Sequence, residues 1–165
     1  MHEKSIELLN KGLGDELAAI HQYMYYHFHC DDQGYDPLAA LFRQVAMAEM
    51  RHAETLGERI LFLGGDVVMK PSQEVETNQD VATMLAHAKK LEEEAVVLYN
   101  QFANQCAQHG DSVTKKMFED IVVDEERHYD SFDIQEAHLS KFGEQFLALQ
   151  SMERSRSVGA GQGEA

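Results

Sequence analysis

Glu49-Met50-Arg51-His52 and Glu125-Glu126-Arg127-His128 are two copies of one pattern, Glu-x-x-His, standing 76 residues apart (49 to 125). Residues three apart on a helix share a face, with Cβ atoms about 5–6 Å apart, so each pair offers a carboxylate oxygen and an imidazole nitrogen to a common ion. One such pair alone is as readily a solvated Glu and His on a surface face. The same shift of 76, however, carries Glu16 onto Glu92, Tyr23 onto Tyr99, Phe42 onto Phe118 and Arg51 onto Arg127. In each half the lone glutamate precedes the Glu-x-x-His glutamate by 33 residues (16 to 49, 92 to 125), and a tyrosine follows that lone glutamate by seven (16 to 23, 92 to 99). Seven residues are two helical turns along one face. The chain therefore reads as two related helical hairpins, and the register selects Glu92 over its neighbours Glu93 and Glu94.

Working outward from these pairs, Ile6, Leu9, Leu13, Leu17, Ile20 and Met24 recur at three- and four-residue steps and predict an amphipathic helix over 5–29. Asp31-Asp32-Gln33-Gly34-Tyr35 breaks it. Asp36-Pro37 supplies an N-cap followed by proline at the first helical position, which opens a second helix running to Leu63, where Gly64-Gly65 stops it. A polar and β-branched stretch then leads through Met69-Lys70-Pro71 to Asn78. A third helix is expected from about Asp80 to His109, ended by Gly110, and a fourth, capped by Asp111 or Ser112, to about Lys141. Phe146, Leu147, Leu149 and Met152 suggest a short fifth helix; the small, polar end over 155–165 reads as a disordered tail, leaving one domain over 1–154. A helix of about 26 residues is ~39 Å long, and sixteen extended residues cover ~53 Å, so the link between the second and third helices can cross the whole bundle. The other links are short and imply antiparallel neighbours. The fold class expected is all-α: a four-helix bundle with one long crossover and a short C-terminal helix.

A chain of 165 residues suits one such domain. Its formal charge of −15, from 29 acidic against 14 basic residues, repels phosphate backbones and anionic headgroups and attracts cations. Nucleic acid is thereby an unsuitable partner, although the same acidity also serves a solvated helical surface. No apolar run approaches the ~20 residues of a membrane span, and Met1-His2-Glu3-Lys4 is charged where a signal peptide needs an apolar core, which predicts a cytoplasmic protein with no membrane contact. Cys30 and Cys106 form no CxxC pair and are expected to be free thiols.

Assembling the four helices brings Glu16, Glu49, His52, Glu92, Glu125 and His128 to one level. Four carboxylates in an interior demand protons or cations, and two divalent ions balance them. Oxygen-rich ligands with two imidazoles suit iron or manganese better than thiophilic metals, and this ligand set is that of ferritin-like di-metal carboxylate proteins. Glu49 and Glu125, each with its histidine beside it, are the candidates for spanning both ions. Tyr23 and Tyr99 stand either as hydrogen-bond partners of the glutamates or as core aromatics. His21, His27, His29, His87, His109 and His138 lack the spacing and read as ordinary polar or surface residues.

With those residues in place, the chain resembles the bacterioferritins over about residues 4 to 152. The blocks that carry the likeness are Leu13-Gly14-Asp15-Glu16-Leu17-Ala18-Ala19-Ile20-His21-Gln22-Tyr23, Glu49-Met50-Arg51-His52-Ala53, Glu58-Arg59-Ile60-Leu61-Phe62-Leu63-Gly64-Gly65 and Asp124-Glu125-Glu126-Arg127-His128. The resemblance implies a hollow shell of twenty-four subunits that oxidises Fe(II), with oxygen or peroxide as oxidant, at those six ligands and stores ferric mineral inside. It also implies haem, or a related iron porphyrin, held across a two-fold subunit interface by one methionine from each partner, which Met50 matches. Met50 follows Glu49 by one residue and so points about 100° away from the inward ligands; the alternative for it is an apolar dimer contact. The chain departs from some relatives at Gln44 and Ala48, where members with an additional inner-surface iron site carry His and Asp. The competing reading is a peroxidase similar to rubrerythrin, reducing peroxide without storing mineral, although such proteins usually add a rubredoxin-like CxxC iron domain, a pattern that this sequence lacks.

Overall fold

A computed structural model describes the backbone of residues 2–161 and the side chains through Arg156. Its elements are five helices, α1 (Glu3–Asp32), α2 (Asp36–Phe62), α3 (Val81–Gln108), α4 (Ser112–Phe142) and α5 (Glu144–Gly161), with no strand among the described residues. The first four form the bundle as two antiparallel hairpins, α1–α2 and α3–α4.

The duplication read from the ligands extends to the backbone of the turns. Gly34 has φ +81° and Gly110, 76 residues on (34 to 110), has φ +73°, both in the left-handed region that only glycine enters cheaply. Beside them the same pair of bonds repeats. Gly34 N–H donates to the Asp31 carbonyl (3.0 Å) and Tyr35 N–H to that of Cys30 (2.8 Å); Gly110 N–H donates to Ala107 (3.1 Å) and Asp111 N–H to Cys106 (3.0 Å).

Helix starts differ between the halves. The Asp111 carboxylate accepts from the Thr114 N–H (3.0 Å) and caps α4, and Asp80 accepts from the Thr83 N–H (2.9 Å) and caps α3. Asp36, expected as the N-cap of α2, lies instead inside its first turn: Tyr35 holds the cap position and makes no side-chain bond. The backbone turn sets this register, since the Tyr35 carbonyl accepts from the Ala39 N–H (2.9 Å) as the Asp111 carbonyl accepts from the Lys115 N–H (3.0 Å), and α5 folds back over this end. Its Gln150 Oε1 accepts from the Leu38 N–H (3.1 Å), and Arg154 Nε donates to Asp36 Oδ1 (2.8 Å). α5 runs to Gly161, later than the expected boundary at Ser155; residues 162–165 of the expected tail lie outside the described residues.

The crossover between α2 and α3 is bonded along α1. Asn10 accepts from the Val68 N–H (2.9 Å), the Ser72 N–H donates to the Gly14 carbonyl (2.9 Å), and Gln22 both donates to and accepts from the Glu76 backbone (3.0 and 2.8 Å). Rising residue numbers in the strap meet rising numbers in α1, so the chain is carried the length of the bundle and α3 starts at the opposite end from where α2 stopped. A Cβ at Gly14 would stand 3.2 Å from the Lys70 carbonyl oxygen, so glycine there lets the strap pass close.

Two apolar clusters fill the bundle, one around Tyr23, Tyr26, Phe42 and Phe132, the other around Leu9, Leu13, Tyr99 and Phe118. On α2, α3 and α4 the candidate ligands Glu49, His52, Glu92, Glu125 and His128 fall between the residues of one cluster and those of the other, and on α1 Glu16 stands at the edge of the second cluster, one residue before Leu17. Fully burying each large side chain contributes roughly 1.5–3 kcal/mol, so the clusters fix the level at which the ligands meet. Cys30 lies in the first cluster and Cys106 in the second; both are buried and free, as expected, and burial pushes their thiols up to about 12 and about 11. No described helix is long and apolar enough to cross a membrane.

Candidate metal centre

Glu16 comes from α1, Glu49 and His52 from α2, Glu92 from α3, and Glu125 and His128 from α4. All four glutamates are at most 2% exposed. Their ligand atoms form two groups, Glu16, Glu49, His52 and Glu125 on one side and Glu49, Glu92, Glu125 and His128 on the other, with the atoms of each group all within 4.8 Å of one another. Glu49 and Glu125 belong to both groups. The two carboxylates expected to span a pair of ions are thus the two with an oxygen available to each side.

The imidazoles are aimed the same way. His52 Nδ1 lies 2.8 Å from Glu49 Oε2, 3.2 Å from Glu125 Oε1 and 3.6 Å from Glu16 Oε2. His128 Nδ1 lies 2.9 Å from Glu49 Oε1, 3.4 Å from Glu125 Oε2 and 3.6 Å from Glu92 Oε2. The tyrosines cross between hairpins: Tyr23 of α1 donates its hydroxyl to Glu92 of α3, and Tyr99 of α3 donates to Glu16 of α1. Each also packs against its counterpart phenylalanine, Tyr23 on Phe42 at 6.3 Å and Tyr99 on Phe118 at 5.7 Å between ring centroids. Both alternatives left open for the tyrosines are therefore realised at once.

Burial and mutual contact shift the ionisation of this cluster. Burial, reinforced by the Glu49 charge, pushes the Glu16 carboxyl well above the usual carboxylate range, and burial together with the hydrogen bond to Glu125 does the same for Glu92. Burial opposes ionisation of Glu125 too, but the close approach of Glu92, His128 and His52 outweighs it and carries that carboxyl below its ordinary value. Burial likewise works against charge on the imidazoles, yet the surrounding glutamates raise His52 far up and His128 to about 12. Close as their neighbours lie, four buried atoms have none in hydrogen-bonding geometry: Glu49 Oε1, Glu92 Oε2, Glu125 Oε1 and His128 Nδ1. Buried polar atoms are nearly always satisfied, so orphans gathered at one level are what metal ligands look like with no ion present. A cation entering here displaces protons, and hard carboxylate oxygens with two imidazoles suit Fe(II) and stabilise Fe(III) further.

Sequence reasoning did not single out Asp124. Its Oδ2 lies 3.2 Å from His52 Nε2, the ring nitrogen facing away from the carboxylates. It adjoins Glu125 in the chain but acts on a side chain of another helix, and only the inter-helix register reveals that. Met50 is 46% exposed on the outer face of α2, apart from the ligands. Gln44 and Ala48 line a cavity of about 240 Å³ between α2 and α4, next to His128. Among the remaining histidines, His27 bonds the Ala39 carbonyl through Nδ1 (2.8 Å) and His87 pairs with the Tyr26 hydroxyl (2.7 Å), both outside the centre.

Residues 6–142 match the family model of the ferritin-like domain. The chain is 39% identical to the bacterioferritin of Desulfovibrio desulfuricans over 145 residues, covering 88% of this chain and 81% of that protein. It is 34% identical to the bacterioferritin of Brucella melitensis over 142 residues (86% and 88% covered) and 35% identical to that of Rhodobacter capsulatus over 147 residues (88% and 91%). A crystal structure of the Desulfovibrio desulfuricans bacterioferritin, with its di-iron site in different catalytic states, superposes with a TM-score of 0.88 at 38% identity, covering 90% of this chain and 86% of that one.

Proposed function

We propose, from the premise that this chain belongs to the ferritin-like family and within it to the bacterioferritins, that Glu16, Glu49, His52, Glu92, Glu125 and His128 are the ligands at which it handles iron. The protein is an iron-storage ferroxidase that oxidises Fe(II) to Fe(III) at a di-iron site. The observation that carries the ligand assignment is the sharing of Glu49 and Glu125 between two four-residue groups. A pair of Fe(II) ions so held supplies two electrons, one from each, enough to take oxygen to the level of peroxide in one encounter. The chain's part is to hold both ions on fixed carboxylates, to release protons from those carboxylates as cations bind, and to keep Glu16 and Glu92 oriented through Tyr99 and Tyr23. Oxygen or peroxide serves as oxidant, and ferric product passes into a 24-subunit shell built from this helical domain, in the cytoplasm. Anaerobic titration should saturate at about two Fe(II) per chain, and His128→Ala should slow oxidation of the first two equivalents severely without unfolding the bundle. Saturation at one, or a wild-type rate in the variant, removes the assignment.

Haem, or a related iron porphyrin, is the second proposed group, held by Met50 and by the Met50 of a two-fold-related copy. What supports the reading is an exposed thioether on the outer face of α2, directed away from the iron ligands, which suits a soft axial ligand in a symmetric pair. Met50→Leu conserves volume and removes the sulfur, and such swaps usually cost under ~1.5 kcal/mol, so the Soret band should vanish from a folded protein. A full Soret band in that variant excludes Met50 as the ligand.

A further inference from the structure

The internal duplication pairs every polar group of the centre with a counterpart except one. His52 corresponds to His128, Glu16 to Glu92 and Tyr23 to Tyr99, each 76 residues on, and the same shift carries Ala48 onto Asp124 (48 to 124). Each histidine turns Nδ1 towards the carboxylates, so to bind a cation there it must keep its ring proton on Nε2. On His52 that nitrogen lies 3.2 Å from Asp124 Oδ2, and the other oxygen of Asp124 is held by Arg127 Nη1 at 3.0 Å. On His128 the equivalent place is a methyl group: Ala48 borders the cavity of about 240 Å³ beside the ring, and no described residue hydrogen-bonds its Nε2.

A carboxylate accepting from the far nitrogen fixes the tautomer, orients the ring and raises its basicity as a ligand, effects whose removal typically weakens metal binding about 10- to 100-fold. We propose that Asp124 is a positioning residue acting through His52, and that it makes the two metal sites unequal, so that the Glu16–His52 side fills first and more tightly than the Glu92–His128 side. Tyr99 pairs with Glu16 as Tyr23 pairs with Glu92, and the one difference, a 3.3 Å contact of the Tyr99 hydroxyl with the Gly12 carbonyl, touches neither imidazole.

This rests on the di-metal reading of the centre, and the test separates the two. Full-length protein is titrated anaerobically with Co(II), following the cobalt ligand-field absorption and the hyperfine-shifted imidazole N–H signals in the NMR spectrum, assigned with His52→Ala and His128→Ala. The first equivalent should shift His52, whose Nε2–H should exchange slowly with solvent, and the second His128, whose Nε2–H should exchange fast. Asp124→Ala, at a side chain 44% exposed and so readily replaced, should weaken the first step about 10- to 100-fold, speed exchange of the His52 proton and leave the second step little changed; Asp124→Glu should restore part of both effects. If His128 responds first, or if Asp124→Ala leaves both steps and both exchange rates as they were, the proposal is overturned while the di-metal centre stands. If neither histidine responds to cobalt, the di-metal reading falls and this proposal with it.

Discussion

In the α3–α4 hairpin the second helix opens on its own aspartate, with Asp111 taking the Thr114 N–H, its hydroxyl and the Arg59 guanidinium (2.9 Å). In the α1–α2 hairpin the position 76 residues earlier is Tyr35, and the first turn of α2 is completed by Gln150 and Arg154 from the far end of the chain. The turns just before are nevertheless the same, with Gly34 and Gly110 both left-handed and bonded alike. Two copies of one hairpin have thus kept the backbone turn and the ligand register, which no outside partner can supply, while helix capping, which any nearby donor or acceptor supplies, has passed to different residues. The difference separates what the metal centre requires from what the surrounding chain can replace.

The largest effect that tests this comparison lies at the shared ligands. Glu49→Ala and Glu125→Ala remove an oxygen from both groups and should leave bound metal near zero after gel filtration, whereas Glu16→Ala and Glu92→Ala each damage one group and should retain about one ion per chain. Equal losses in all four variants would mean that the carboxylates are not shared. Next comes Asp111→Ala, which deletes a buried cap and leaves the Arg59 charge, 12% exposed, without its carboxylate; urea unfolding should show a loss of about 2–3 kcal/mol. Asp80→Ala, at an exposed cap, should lose about 1 kcal/mol. Burial tends to raise the Asp111 carboxyl, but Thr114, Ser5 and Arg59 outweigh it and bring it down to about 2 from an ordinary 3.8. A depressed carboxylate stabilises above its unfolded value, so roughly 2 kcal/mol should be fully present above about pH 4, drain away as pH falls towards 2, and be missing from Asp111→Asn across the same window. Smallest is Gln150→Ala, which frees the Leu38 N–H and should lower stability by about 1 kcal/mol; a loss as large as that of Asp111→Ala would show that α5 is no minor accessory to α2.

The clustering of the six residues was legible because their pattern is fixed within single helices: three residues within Glu-x-x-His, seven from Glu16 to Tyr23, and a repeat that chose Glu92 from three adjacent glutamates. Helix breaks at Gly34, Gly64 and Gly110 were legible for the same local reason, a backbone conformation costly to anything but glycine. What escaped were contacts fixed between elements. Asp36 looks like an N-cap until Arg154, more than a hundred residues away, takes its carboxylate. Asp124 looks like one more surface acid in an acidic chain until α2 and α4 are packed in register and His52 faces it. Arg154 of α5 likewise holds the Asp31 carbonyl of α1 and the Asp36 carboxylate of α2, and no periodicity within the segment announces them.

Of the two carboxylates that reach both metal groups, Glu49 belongs to one hairpin and Glu125 to the other, and only the strap along α1 joins these hairpins covalently. The strap acts as a tether that sets the effective concentration of each hairpin at the other, while each hairpin's own helix pairing needs no tether. Cut the strap between Gly65 and Gln79, and docking becomes an encounter between two separate peptides, penalised by dilution. Ions lying between Glu49 and Glu125 would then add a link to the shared apolar clusters, so that the same metal serves the intact chain as a reactant and a severed one as a clasp.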